Sequence, residues 1–289
     1  MEKTGSSVAT NRTVVYPMRM STATSRTNLV ADSSAELENP YESNKLLSEY
    51  LLFHYGTAEE VLPFAQGPKE ALAYPVRCVS ECLKPAELSR GGRALDLGCA
   101  VGRSTFELAR HCEAVLGIDY SHSFIAAAER IRTEGEVKYE RVEEGEISAP
   151  LVAHRPAEVA PDRVRFEQGD AVQLREGLGR FDIVLMANLI DRLQKPAQCL
   201  AQLGDLVERD GTLVITSPYT WMEAYTSKTE WLGGLHSNGQ PQLTLDGLRA
   251  NLAPHFKLER TLDLPFLIRE HSRKYQWSVA QASVWTRLS

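Results

Sequence analysis

Short apolar runs alternate with amphipathic segments from about residue 93 to residue 216. The run Phe181–Ala187 is apolar at every position except Asp182, which is typical of a strand buried on both faces of a parallel sheet. The segments between such runs carry apolar residues at helical spacing. This alternation predicts an α/β fold with a mostly parallel, doubly wound sheet. The predicted core strands are residues 93–97, 114–118, 164–168, 181–187 and 211–216, and the predicted core helices are residues 103–110, 121–132 and 196–207.

The pattern changes before, within and after this alternation. Residues 42–55 and 68–83 have helical periodicity and predict an N-terminal helical cap over one edge of the sheet. Residues 136–142 alternate polar and apolar positions and precede a Glu-Gly-Glu turn, which predicts an inserted β-hairpin within 133–162. A helix over 244–252 and two late strands, 256–262 and 277–285, follow the core, with a charged loop expected between those strands.

Composition narrows the classes of protein. The chain has 289 residues, a formal net charge of −6 and an isoelectric point near 5.7, which disfavours nucleic acid as a partner. No apolar run is long enough to span a bilayer, so we expect no membrane association. Five scattered cysteines predict reduced thiols rather than disulfides or a metal site, and a cytoplasmic location.

A glycine-bearing turn follows the first predicted strand. Asp96 stands two residues before Gly98, and Gly102 comes four residues after it. Glycines let backbone approach a ligand closely, and the helix that follows offers unpaired N–H groups. Asp119, at the end of the second strand, is placed to bind ribose hydroxyls. The plainer alternative is a βαβ turn that binds no ligand.

The turn resembles the first motif of class I S-adenosylmethionine-dependent methyltransferases, D-x-G-x-G-x-G, with Ala100 at the middle glycine. Because a side chain disfavours the left-handed region, we expect a negative φ at Ala100. The resemblance implies S-adenosylmethionine as cofactor, S-adenosylhomocysteine as product, no metal, and a Rossmann-like, seven-stranded sheet completed by an antiparallel pair. The predicted cofactor-binding residues are Asp96, Gly98, Cys99, Ala100, Gly102, Asp119, Tyr120, Asp170, Ala171 and Asn188.

Polar residues also follow the later strands. Asp170 would accept a hydrogen bond from the adenine amino group, although it could equally form a turn. Asn188 follows the fourth strand and could instead cap a helix. Because the carboxyl ends of parallel strands meet at one edge of the sheet, their coincidence favours a binding site.

Several longer segments resemble the 4-mercaptohistidine N-methyltransferases of ovothiol biosynthesis. They are residues 39–43 (NPYES), 46–56 (LLSEYLLFHYG), 187–193 (ANLIDRL), 216–221 (TSPYTW), 231–234 (WLGG) and 265–277. The resemblance implies methyl transfer from S-adenosylmethionine to an imidazole nitrogen of 5-thiohistidine (4-mercaptohistidine), giving ovothiol A. It also implies a stand-alone methyltransferase whose substrate comes from a separate iron-dependent sulfoxide synthase.

This reaction requires a free nitrogen lone pair, a thiolate held away from the methyl group and an anchor for the amino-acid groups. The predicted catalytic residues, among which the sequence does not choose, are Asn188, Asp191 and His271. A buried Arg269 or Arg77 would need a partner, such as a substrate carboxylate. Aromatic residues after the fifth strand would hold the ring, or would simply pack a lid. The predicted substrate-binding residues are Tyr41, Arg77, Tyr219, Trp221, Trp231, Arg269, Lys274 and Tyr275.

These assignments divide the chain into a disordered tail and one methyltransferase domain. Residues 1–38 are rich in Ser and Thr, and a mitochondrial transit peptide is the alternative interpretation. The domain, 39–289, comprises a helical cap (39–90), a cofactor-binding core (91–220) with its inserted hairpin (133–162), and a substrate lid with the final strands (221–289). A methyltransferase acting on another small amino-acid or heteroaromatic substrate, and an inactive cofactor-binding module, remain alternative functions.

Overall fold

A seven-stranded sheet forms the centre of the molecule in the computed structural model, which describes residues 40–88, 92–237 and 239–289. Its strands are β1 (Arg93–Leu97), β2 (Ala114–Asp119), β5 (Val164–Gln168), β6 (Phe181–Ala187), β7 (Val207–Ser217), β10 (Phe256–His271) and β11 (Lys274–Arg287). The order is β10-β11-β7-β6-β1-β2-β5. The strands from β1 to β7 in this sheet are parallel, whereas β11 is antiparallel to both β7 and β10. The predicted fold class is confirmed.

Helices cover both faces of this sheet. The α-helices are α1 (Asn44–Tyr55), α2 (Ala58–Val61), α3 (Tyr74–Ser80), α4 (Pro85–Leu88), α5 (Arg103–Leu108), α6 (His122–Glu134), α7 (Pro196–Leu206) and α8 (Thr244–Leu252). One buried cluster joins α1, α3, α5 and α6 to the sheet, and a second joins α7 and α8 to the opposite face. Ser121 caps α6 as predicted, because its Oγ accepts from the N–H of Phe124 at 3.1 Å.

Two small hairpins accompany the sheet. The predicted inserted hairpin is present as β3 (Glu136–Glu144) and β4 (Ile147–His154). A second pair, β8 (Leu235–Ser237) and β9 (Gln240–Gln242), was not predicted. Its strands are only three residues long, too short for an alternating pattern to mark them.

The predicted continuous helix over 68–83 forms only in part, as α3. The chain forms a 3-10 turn at Lys69–Ala71 and then α3, and Ala73 between them has a left-handed φ of 53°. Pro75 explains the break, since proline lacks an N–H and its ring clashes with the carbonyl four residues earlier in a continuous helix.

The predicted charged loop between the last two strands is also wrong. β10 and β11 continue through it and turn only at Ser272 and Arg273. Because β7 ends opposite Gln281, residues 274–280 extend about 20 Å beyond that point, at about 3.3 Å per residue. The hairpin therefore projects past the edge where the parallel strands end.

The predicted tail (1–38) and its transit-peptide alternative lie outside the described residues. Within the described ranges, no helix combines the length and apolar character needed to cross a membrane.

Candidate active site

The turn between β1 and α5 has an unusual backbone. Gly98, Ala100 and Gly102 have φ values of 79°, 47° and 85°. The predicted negative φ at Ala100 is therefore wrong. Its N–H donates to Oδ2 of Asp119 at 2.9 Å, and this bond holds the left-handed conformation, which costs a non-glycine residue roughly 1–2 kcal/mol.

The two glycines also allow close packing inside the protein. A Cβ on Gly98 would lie 2.9 Å from a methyl of Leu189, and one on Gly102 would lie 2.5 Å from the ring of Phe166. The missing side chains thus face protein atoms as well as permitting the positive φ. These glycines are required for the shape of the turn even before a ligand is considered.

Asp96 is enclosed behind the turn. Its Oδ2 accepts from Ser104 Oγ at 2.8 Å and Thr105 Oγ1 at 2.7 Å, while Oδ1 is buried with no partner among the described residues. Burial raises the pKa of this carboxyl to about 6. Asp96 ties β1 to the start of α5, and its direct contact with a cofactor stays a prediction.

Asp119 stands half-buried at the end of β2. One oxygen accepts from the N–H of Ala100, and the other accepts from the N–H of Ser121 at 2.9 Å. Burial raises its pKa to about 6, against the lowering effect of these backbone bonds. Each carboxylate oxygen can accept a further hydrogen bond. The side chain is therefore fixed in position and retains acceptor capacity, which fits the hydroxyls of a ribose.

The segment before α1 packs directly on this strand end. The Tyr41 carbonyl accepts from Ser121 Oγ at 3.1 Å and Ser123 Oγ at 2.9 Å. The Glu42 carboxylate accepts from the N–H groups of His122 and Ser123, at the start of α6. This segment is thus attached to the same edge as Asp119.

An aromatic group surrounds the Tyr41 ring. Tyr50 and Phe124 lie with ring centroids 6.1 and 5.8 Å from it, and Tyr225 lies at 6.5 Å. Burial raises the pKa of the Tyr41 hydroxyl to about 12, so it is a neutral donor and acceptor at neutral pH. Tyr50 and Tyr225 were not among the predicted site residues.

Asn188 follows β6 in a left-handed conformation, with φ of 52°, rather than capping a helix. Its Oδ1 accepts from the Tyr74 hydroxyl at 2.8 Å and the Thr216 hydroxyl at 3.3 Å. Those two hydroxyls are 2.6 Å apart, and Tyr74 is buried. With Oδ1 engaged, the Nδ2 group keeps two N–H donors. Sequence reasoning missed Tyr74 and Thr216, because helix and strand periodicity alone explains both residues.

Asp191 has no exposed surface. Its Oδ2 accepts from the N–H of Thr220 at 2.8 Å and from Nη1 of Arg192 at 3.1 Å. Burial raises its pKa. An enclosed carboxylate in these bonds orders the loop after β7, so Asn188 is the better placed of these two predicted catalytic residues. His271, the third, lies at the far end of the β10–β11 hairpin, where its Nδ1 accepts from the N–H of Arg273.

The predicted aromatic residues after β7 are largely satisfied within the protein. Trp221 and Trp231 stack with ring centroids 6.2 Å apart. The Trp221 indole donates to Thr244 Oγ1 at 2.9 Å, and that of Trp231 donates to the Thr226 carbonyl at 2.8 Å. Tyr219 donates to Gln281 at 3.0 Å. This arrangement matches the packing of a lid.

The two arginines predicted to hold a substrate carboxylate have partners in the chain. Arg269 binds Oε2 of Glu143 at 2.7 Å and the Glu60 carbonyl at 2.8 Å. Arg77 donates to the carbonyls of Leu72 and Pro265. Each arginine therefore has the partner that its burial requires, supplied in part by segments distant in sequence. Binding of a substrate carboxylate by either residue stays a prediction.

The remaining predicted residues lie on the exposed hairpin, at exposed positions after β2 and β5, or in the buried core. Lys274 pairs with Glu270 at 2.7 Å on the exposed hairpin, and the Tyr275 hydroxyl donates to the Ser272 carbonyl. Asp170 is exposed, and one of its oxygens accepts from the N–H of Val172. Cys99 and Ala171 are buried, whereas Tyr120 is 60% exposed beside Asp119. In the described part of the chain, no group of three or more His, Cys, Asp or Glu residues could hold a metal ion.

The chain is similar to known proteins over part of its length. Residues 95–213 match a family model described as a methyltransferase domain. The ubiquinone biosynthesis O-methyltransferase of Azorhizobium caulinodans is 25% identical over 128 residues, which are 44% of this chain and 41% of that protein. The alignment therefore spans about two fifths of that relative's length.

Two solved structures align with this chain over most of its length. The N-methyltransferase NodS from Bradyrhizobium japonicum WM9, in complex with S-adenosyl-L-homocysteine, aligns over 84% of this chain and 99% of its own, with a TM-score of 0.46 and 15% identity. A putative S-adenosylmethionine-dependent methyltransferase from Listeria monocytogenes aligns over 75% of this chain and 99% of its own, with a TM-score of 0.49 and 13% identity.

Residues 95–213 match a methyltransferase-domain model, and the seven-stranded sheet that includes them has a Rossmann-like order. S-adenosylmethionine is the cofactor that such a domain implies, and Asp119 and the turn at Gly98–Gly102 stay its predicted binding residues.

Proposed function

We propose that this protein methylates an imidazole ring nitrogen of 5-thiohistidine, giving ovothiol A and S-adenosylhomocysteine. One observation carries the proposal. The segment that begins with Tyr41 resembles the 4-mercaptohistidine N-methyltransferases in sequence, and it is bonded to the strand end that carries Asp119. The residues that suggest this substrate therefore adjoin those that would hold the methyl donor.

The reaction is a displacement in which the N–CH₃ bond forms as the S–CH₃ bond breaks and the ring loses a proton. S-adenosylmethionine supplies the electrophilic methyl group. The protein's task is to align the nitrogen and to control its protonation. Asn188, held by Tyr74 and Thr216, offers N–H donors to a ring nitrogen or a thiolate. A donor engaged with the thiolate would restrain the better nucleophile while the nitrogen reacts.

A second candidate is methyl transfer to another small heteroaromatic acceptor. The observation that favours it is that Arg77 and Arg269 are already bonded within the chain, which removes two expected anchors for an amino-acid carboxylate. An inactive cofactor-binding module is the remaining alternative. For the leading proposal, a separate sulfoxide synthase would supply the substrate.

Mass spectrometry of the reaction products tests the proposal. The protein is incubated with S-adenosylmethionine and, separately, with 5-thiohistidine, histidine or ergothioneine. We expect one added methyl group on 5-thiohistidine, with fragment ions that locate it on the ring. Methylation of histidine but not of 5-thiohistidine would contradict the assignment while preserving the enzyme class. Failure to bind S-adenosylhomocysteine in calorimetry would remove both enzyme hypotheses.

A further inference from the structure

Arg192 makes all of its hydrogen bonds through one nitrogen, unlike Arg77 and Arg269, which use two each. Its Nη1 donates to the Asp191 carbonyl, to Oδ2 of Asp191 and to the Thr220 carbonyl, at 2.9–3.1 Å. Neither Nε nor Nη2 has a partner among the described residues, and neither is an unsatisfied buried atom. The guanidinium is thus anchored on one side and open on the other.

The open side has the geometry of a carboxylate receptor. Nε and Nη2 present parallel N–H groups, which match the two oxygens of a carboxylate in a bidentate pair. The Arg192 side chain is 26% exposed, whereas that of Arg269 is 2% exposed. The two Nη groups of Arg269 bind Glu60 and Glu143, and its Nε is buried without a partner among the described residues. Arg192 therefore has both the free donors and the access that the predicted anchor lacks.

The position of Arg192 links it to the proposed active site. The residue follows β6 and lies four positions after Asn188. Its guanidinium carbon is 5.1 Å from the centroid of the Tyr225 ring, which in turn lies 6.5 Å from the ring of Tyr41. Arg192 and Asp119 both act electrostatically on the Tyr41 hydroxyl. The open donors thus belong to the same edge as the cofactor residues.

We propose that the Nε and Nη2 groups of Arg192 bind the carboxylate of the methyl-accepting amino acid. The inference rests on the proposed function and supplies the anchor that Arg77 and Arg269 do not provide. Because Asp191 and Thr220 hold the guanidinium in place before a ligand arrives, little conformational freedom is lost on binding. The amino-acid moiety of the cofactor also carries a carboxylate, so the test must distinguish the two sources.

The experiment compares wild type with Arg192→Gln and Arg192→Lys. KM is measured for 5-thiohistidine and for its decarboxylated analogue. The analogue keeps the thiol-bearing imidazole and the amino group but has no carboxylate. The dissociation constant of S-adenosylhomocysteine is measured by calorimetry for each protein. Arg192→Lys keeps a cation at this position but lacks the parallel donors. Thermal unfolding of each variant shows whether loss of the bonds to Asp191 and Thr220 has destabilised the protein.

We expect Arg192→Gln to raise KM for 5-thiohistidine about 30-fold, the value of one charge-assisted bidentate contact. KM for the analogue and the affinity for S-adenosylhomocysteine should change less than about twofold, within the scatter of neutral substitutions. Arg192→Lys should recover part of the loss.

Four results would overturn the inference. An equal loss for both acceptors indicates a structural role, and a matching loss of S-adenosylhomocysteine affinity assigns the carboxylate to the cofactor. If wild type does not methylate 5-thiohistidine at all, the proposed function fails and this anchor fails with it. Turnover of 5-thiohistidine with an unchanged KM in Arg192→Gln overturns the anchor alone.

Discussion

The two halves of the site are built from different kinds of contact. On the cofactor side, Asp96 bonds to hydroxyls eight and nine residues away, and Asp119 bonds to N–H groups 19 and two residues away. On the side proposed to bind the methyl acceptor, here called the acceptor side, the Arg269–Glu143 contact joins residues 126 positions apart. The Tyr74–Asn188 contact on that side joins residues 114 positions apart. Local pairing leaves a recognisable sequence motif, whereas distant pairing does not.

The largest expected effect falls on the cofactor side. Asp119→Ala removes the proposed ribose acceptor and the anchor for the Ala100 N–H, and two charge-assisted hydrogen bonds correspond to about a 100-fold loss of affinity. Calorimetric titration with S-adenosylhomocysteine measures this change, and circular dichroism checks the fold. Asp162→Ala, at an exposed position, is the matched control. Unchanged affinity in the Asp119 variant would show that the ribose lies elsewhere.

The next effect separates stability from substrate binding. Glu143→Gln leaves the buried Arg269 guanidinium without its ion partner, and we expect the free energy of unfolding to fall by about 3 kcal/mol. KM for the acceptor should stay unchanged. Urea unfolding and steady-state kinetics measure the two quantities, with the exposed Glu144→Gln as control. A raised KM with unaltered stability would indicate that Arg269 binds the substrate instead.

A smaller effect tests the orientation of Asn188. Tyr74→Phe removes the hydroxyl that donates to its Oδ1, which should lower kcat about tenfold, equivalent to one hydrogen bond of roughly 1.4 kcal/mol. Affinity for S-adenosylhomocysteine should persist. Tyr139, which lies on β3, is also a buried tyrosine, and Tyr139→Phe controls for the general loss of a hydroxyl. If kcat is retained and only stability drops, Tyr74 has a packing role.

The smallest effect concerns the turn itself. Ala100→Gly relieves the left-handed strain at φ of 47° but increases the entropy of the unfolded chain and removes a buried methyl group. The net gain in the free energy of unfolding should not exceed about 1 kcal/mol, as measured by urea denaturation. A clear loss of stability would mean that packing of the methyl group outweighs the strain.

The five parallel strands of the sheet could be predicted from the sequence. Apolar runs marked the core strands, and Asp96, Gly98, Gly102 and Asp119 lie where a local motif places them. The φ of Ala100 differs from the prediction because its hydrogen bond to Asp119 outweighs the steric preference for a negative φ.

The contacts on the acceptor side were less predictable, because they join residues that are distant in sequence. Arg269 pairs with Glu143 on the inserted hairpin, and no spacing rule relates these two positions. Arg77 bonds the Pro265 carbonyl on β10, which is also distant in sequence, besides Leu72 and Glu81 close by in the chain. The free donors of Arg192 emerge only when the bonds of each guanidinium are compared. Charge at a strand end is visible in sequence, but whether that charge is already neutralised depends on tertiary contacts.

The ionisation of Asp119 gives the most direct test. Its pKa rises from 3.8 to about 6 on folding, so the folded protein binds a proton between these values that the unfolded chain does not. The contribution of this group to stability therefore increases as pH falls from 7 to 4. Cofactor affinity should move in the opposite direction, because a protonated carboxyl is a poorer acceptor for ribose hydroxyls. Asp96, with a pKa also near 6, would follow the same trend in stability.

The decisive measurement is the titration of wild type with S-adenosylhomocysteine at pH 7 and pH 5. If Asp119 is the ribose acceptor, binding is one-to-one at pH 7 and about tenfold weaker at pH 5, where about a tenth of the carboxyl stays ionised. Asp119→Asn should remove most of this pH dependence. Absence of binding at pH 7, or an equal affinity at both pH values, would contradict the account of the cofactor edge.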